Sequence, residues 1–120
     1  MNAPVPVEIK LHQASRRLEV RFEDGAAFEL PCELLRVYSP SAEVRGHGPG
    51  QETLVTGKSG VNITAIEPVG HYAVRLVFDD GHDTGLYSWE YLYELGSERD
   101  RLLDEYRRRV AANALAGAPS

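Results

Sequence analysis

The chain is 120 residues long, 42% hydrophobic and 26% charged, enough for one domain that buries roughly two-thirds of the surface its unfolded form exposes. Its formal net charge of −5 argues against a broad basic nucleic-acid face, and no apolar run reaches the ~18 residues of a membrane span. With one cysteine, Cys32, it can form neither an intramolecular disulfide nor a thiolate metal cage.

That cysteine usage fits a reducing compartment, and MNAPVPVEIK lacks the charged-then-apolar pattern of a signal peptide, so the expectation is a cytoplasmic protein. Residues 1–6 read as a flexible lead-in. From Val7 the pattern alternates, with Val7, Ile9 and Leu11 facing one way and Glu8, Lys10 and His12 the other, the signature of a half-buried strand. Leu18, Val20 and Phe22 repeat the apolar face, while Arg17, Glu19, Arg21 and Glu23 point outward. Asp24-Gly25 marks a hairpin, because glycine accepts the positive φ of a tight turn. Ala26, Phe28 and Leu30 complete a third strand, giving an antiparallel meander with one wet face. Pro31 suits the first turn of a helix, which should run to about Val37. Residues 38–49, rich in Ser, Pro and Gly, read as a loop, and residues 56–60 as a turn.

Val61, Ile63 and Ala65 alternate again, but the phase blurs at Ile66. Tyr72, Val74, Leu76 and Phe78 form a strand whose other face carries Ala73, Arg75 and Val77, the pattern of a central strand partly covered on both sides. Asp80-Gly81 turns it into a short strand over residues 83–87. Ser88 is a good N-cap, and Trp89, Leu92 and Tyr93 fall at the spacing that shares one helix face. Gly96 reads as the stop of that helix and Ser97 as the cap of another, reaching residue 112 with Leu102, Leu103, Tyr106 and Val110 as its apolar stripe. Residues 113–120 read as a flexible tail. The expected class is α+β: antiparallel β-strands in two groups sharing one core, covered by C-terminal helices.

Several stretches carry candidate chemistry. Thr56-Gly57-Lys58-Ser59 looks like the end of a phosphate loop, but Glu52 stands where that loop needs its first glycine, and a strand rather than a helix follows. Cys32 has no histidine close in sequence to act as its base, so a buried small hydrophobe is the better reading. His47, in Gly46-His47-Gly48-Pro49-Gly50, is a candidate ligand contact on a turn-rich loop. Asp79, Asp80, His82 and Asp83 combine carboxylates with an imidazole, donors that suit iron, manganese or zinc. A facial iron triad built from His82 would need a carboxylate where Thr84 stands, and aspartates of a tight turn more often cap backbone amides. Trp89 and Tyr93 read as core, whereas Tyr91, off their face, is the candidate exposed contact.

Leu30-Pro31 through Leu34-Leu35-Arg36, Ser39-Pro40-Ser41-Ala42-Glu43-Val44, Ile66-Glu67-Pro68-Val69-Gly70, and Asp80-Gly81-His82 through Tyr87-Ser88-Trp89-Tyr91-Leu92 together resemble the gamma-butyrobetaine hydroxylase-like N-terminal domain family, also called DUF971. The resemblance spans about residues 5–96 and is strongest to the small stand-alone bacterial members, which implies a domain over residues 7–96 followed by the C-terminal helix. In larger relatives such a domain precedes a 2-oxoglutarate-dependent dioxygenase domain, and in some plastid proteins it follows a P-loop iron–sulfur carrier domain. In the dioxygenase relatives it holds a zinc through three cysteines and the histidine of the Asp-Gly-His motif. The matching positions here are Ser39, Ser41, Val44 and His82, so only the histidine is kept. Neutral hydroxyls and a valine cannot replace three thiolates, and the catalytic iron site belongs to the domain this chain lacks.

The expected function is therefore a non-catalytic interaction or accessory domain with an unidentified protein partner. The contact candidates are His82, Asp80, Asp83, His47 and Tyr91, without nucleic acid, membrane, catalytic residues or a resident cofactor. The alternative is a metal-binding protein linked to iron or iron–sulfur chemistry, holding iron or zinc at His82 with His47 and His12 brought near it. Open edges of antiparallel strands also allow pairing between chains, as a homodimer.

Overall fold

The computed structural model describes residues 4–41, 44 and 54–116, with the side chains of 115 and 116 excepted. Its order is β1 (Pro6–His12), β2 (Arg17–Phe22), β3 (Ala27–Pro31), α1 (Cys32–Val37), β4 (Ile63–Val69), β5 (Ala73–Phe78), β6 (Leu86–Ser88), α2 (Trp89–Ser97) and α3 (Arg99–Ala116). The strands form two antiparallel meanders, ordered β1-β2-β3 and β4-β5-β6. The α+β class, with two strand groups and covering helices, is as the residue pattern implied.

Burial of alternate side chains drives both sheets. Leu18, Val20 and Leu30 from the first meet Ile63, Val74 and Leu76 from the second, together with Leu34 of α1 and Leu92 and Leu95 of α2, in one core. Side-chain amides staple the two sheets: Gln13 Nε2 donates to the Ile63 carbonyl (3.1 Å), and Asn62 Nδ2 donates to that of Gln13 (2.9 Å). The blurred phase at Ile66 is a β-bulge. Ile63 pairs with Phe78 and Ile66 with Leu76, so one extra residue is taken up between Ile63 and Ala65 and both isoleucines face inward. Pro68 is tolerated because β4 lies at a sheet edge, where a missing N–H costs no ladder bond.

Five local readings change. Val7 does not share the inward face of Ile9 and Leu11; it falls in the register shift between Pro6 and Glu8 and is 65% exposed. The short strand expected over residues 83–87 is Leu86–Ser88. Tyr72 does not belong to the inward face of β5; it is 67% exposed, in the turn before the strand. Gly96 does not stop α2, which continues through Ser97. A Cβ at Gly96 would lie 2.2 Å from Cγ of Phe28, so this glycine lets the helix lie directly on the ring. The second helix runs to Ala116, beyond the expected end at residue 112. Ser88 does cap α2, its hydroxyl accepting from Tyr91 N (3.1 Å).

Candidate functional site: the corner around His82

His82 sits at the end of the turn that leaves β5. Gly81, at φ 91°, supplies the left-handed residue, and Phe78 N donates to the His82 carbonyl (3.0 Å). The Asp80 carboxylate accepts from His82 N (3.1 Å), which fixes the backbone and turns the imidazole inward, where it is only 6% exposed. Its Nε2 lies 2.8 Å from the Ser39 hydroxyl, 43 residues away in sequence. Ser39, 1% exposed, also accepts from Ser41 N (3.2 Å), and the Ser41 hydroxyl lies 2.7 Å from that of Thr84. Val44, 6% exposed, follows Ser41 closely, donating its N–H to the Ser41 carbonyl (3.0 Å). Gly85 completes the corner: a Cβ there would come within 2.6 Å of the Ser39 hydroxyl.

The fold thus gathers Ser39, Ser41 and His82, the positions that correspond to zinc ligands in larger relatives, with Val44 adjoining them. The donor set does not fit a zinc. Both serine hydroxyls are spent on neighbours, Val44 has no donor atom, and His82 Nε2 faces a neutral hydroxyl. Among the described residues no group of three or more His, Cys, Asp or Glu side chains is placed to hold a metal. The hydrogen bonds satisfy polar groups that burial would otherwise penalise by about 1–3 kcal/mol each.

Ser39 and His82 also have the spacing of a nucleophile and its base, which raises the question of catalysis. Ser39 is 1% exposed, and Gly85 approaches its hydroxyl so closely that a Cβ there would lie 2.6 Å away. The pair is enclosed by its neighbours.

Asp80 faces outward from the same turn. Its carboxylate accepts from Arg36 Nε (2.8 Å) and lies 2.8 Å from Lys58 Nζ. Burial alone would raise its pKa, but the hydrogen bonds from Lys58, the His82 amide and Arg36 outweigh that and hold the carboxyl far below the ordinary range. Lys58 is therefore an ion-pair partner of the turn, and Arg36 ties α1 to it. Neither role is visible in sequence, where Arg36 lies 44 residues from Asp80.

The other candidates disperse. Asp83 shares Arg75 with Glu67, at 3.3 Å from Arg75 Nη1, on the outer face of the second sheet. Asp79 caps Asn62 N (3.1 Å). His12 lies on the polar face of the first sheet, 3.0 Å from Glu19. Tyr91 is half-buried against the core instead of exposed, and its hydroxyl donates to the Tyr38 carbonyl (2.5 Å). Cys32 is buried in the core, where desolvation pushes its thiol pKa up and away from reactive thiolate. The loop carrying His47 lies outside the described residues. Among the described residues no helix is long and apolar enough to cross a membrane.

The comparisons agree with this architecture. A protein of known solution NMR structure is 55% identical and superposes with a TM-score of 0.81, covering 99% of this chain and 86% of its own. Another NMR structure is 46% identical, with a TM-score of 0.78 and coverage of 97% and 89%. A crystal structure of a protein of unknown function from Acidithiobacillus ferrooxidans ATCC 23270, of the DUF971 family, is 44% identical, with a TM-score of 0.66 and coverage of 78% and 93%. No curated protein matches. The model of the gamma-butyrobetaine hydroxylase-like N-terminal family matches residues 9–93, and with that match the chain belongs to this family.

Proposed function

We propose that the protein is a non-catalytic interaction or accessory domain that acts by binding another protein. The observation that carries this reading is the sealed corner. Among the described residues, the one serine–histidine pair with catalytic spacing is 1% and 6% exposed and is consumed in holding the residue 39–41 segment to the β5–β6 connection. The occurrence of such domains joined to quite different catalytic domains, which the family resemblance implies, points the same way, because a part reused beside unrelated chemistries contributes contacts rather than chemistry. The single buried cysteine supports placing it in a reducing, cytoplasmic compartment.

The test has two arms. The tagged full chain is used as bait in its native cell extract, with excess untagged chain as competitor. The reading predicts capture of a small set of proteins in stoichiometric amount, lost on competition. In parallel, purified wild type and Ser39→Ala are assayed on generic ester and phosphoester substrates. Absence of any competed partner, together with a turnover that Ser39→Ala abolishes, would refute the proposal.

A further inference from the structure

Among the described residues β1 is an edge strand of seven residues with β2 as its only strand neighbour, so its other side presents backbone N–H and C=O groups. Near its start stand two of the four large hydrophobics that are exposed among the described residues, Val5 at 46% and Val7 at 65%. Pro6 and a register shift between Pro6 and Glu8, which takes up Val7, blunt the first residues and leave Glu8-Ile9-Lys10-Leu11-His12 regular.

That run is complementary to itself. When two copies of β1 meet antiparallel about a two-fold axis through Ile9, Glu8 lies opposite Lys10 and Ile9 opposite Ile9. Each copy's Glu8 then faces the other's Lys10, giving a pair of opposite-charge contacts on the solvent face, while the two Ile9 side chains meet on the core face. The neighbouring symmetric registers fail. An axis through Glu8 sets two glutamates face to face, and one through Lys10 sets two lysines, both destabilising in directly opposed positions. Registers shifted by one residue send the two core faces to opposite sides of the joined sheet. Within one copy Glu8 already takes Arg21 Nη1 (3.2 Å) and Lys10 Nζ (3.5 Å), so the pairing extends an existing row of alternating charge.

We infer that β1 is a homodimerisation edge, joining two copies of this chain in the Ile9-centred antiparallel register into one continuous six-stranded sheet. This is independent of the accessory-domain reading and can fail without it.

The test is sedimentation equilibrium on the full chain over a range of concentrations, with four proteins compared. Wild type should interconvert between 13.3 kDa and twice that mass, more weakly at high salt. Glu8→Lys and Lys10→Glu, each placing like charges across the axis, should associate at least about tenfold more weakly. Mixed in equal amounts, these two variants should form a heterodimer, since the all-lysine strand then faces the all-glutamate strand. The double variant Glu8→Lys/Lys10→Glu should regain the homodimer, which separates loss of pairing from loss of folding. A wild type that stays monomeric to ~1 mM would overturn the inference. So would variants that dimerise as wild type does, or single variants that fail to associate on mixing.

Discussion

Phe22 to Ala26 and Phe78 to His82 are built on one recipe, a phenylalanine, an acid, Asp-Gly and a final residue. In each, the glycine takes φ 91° and the aspartate accepts from the amide two residues on, at 2.9 Å for Asp24 and 3.1 Å for Asp80. In each, the phenylalanine N–H closes the turn on the final carbonyl, and both phenylalanines are 2% exposed. The local chemistry is the same, yet the surroundings differ. The first turn ends in half-buried Ala26, and its aspartate accepts from the Tyr93 hydroxyl (2.7 Å) at the surface. The second ends in His82, and its aspartate carries Arg36 and Lys58. What separates a plain hairpin from the organising corner is thus the last side chain and the cations brought from afar, not the turn.

The largest break in this comparison should come from the final residue. His82→Ala removes a buried imidazole and leaves the Ser39 hydroxyl at 1% exposure without that partner, so urea unfolding should show a loss of about 3 kcal/mol.

Replacing Asp80 by Asn should cost about 1–2 kcal/mol at neutral pH, from weakened charge-assisted bonds. Because the folded pKa of Asp80 is depressed, its contribution is fully present above the unfolded value of about 3.9 and is lost as pH falls through the folded value. Unfolding curves for wild type and Asp80→Asn should therefore converge in strong acid and separate toward pH 7. Asp24, held low mainly by the Ala26 amide and then by Tyr93, should show the same sign for Asp24→Asn but a smaller separation, having no cation at its carboxylate among the described residues.

The smallest difference should be between the glycines. Gly25→Ala and Gly81→Ala force the same left-handed conformation on a side chain with open space around it, so each should cost about 1 kcal/mol and the two should match closely. A marked inequality in paired urea titrations would show that the turns are not equivalent.

The sequence made the strand alternation, the Asp-Gly turns and the Ser88 cap readable, because each depends on neighbours along the chain. Long-range causes were hidden. Gly96 carries the sign of a helix stop, yet its reason is Phe28 on another element. The blurred phase at Ile66 was visible as a blur, and only the pairing with Leu76 shows the bulge behind it. The corner itself was half legible. The resemblance pointed to Ser39, Ser41, Val44 and His82, but no local pattern brings Arg36 and Lys58 to Asp80 or Thr84 to Ser41. Tyr91 misled because helix spacing places it off the Trp89 face while the Tyr38 carbonyl draws its hydroxyl inward.

The hydrogen bonds of Ser39 and Asp80 are what hold His82 in its corner. This is tested most directly by urea unfolding of tag-free wild type and His82→Ala, each with and without a strong chelator. The account predicts a wild-type midpoint indifferent to the chelator and a variant weaker by about 3 kcal/mol in both conditions. A wild-type midpoint that drops when metal is removed, or a variant as stable as wild type, would contradict it.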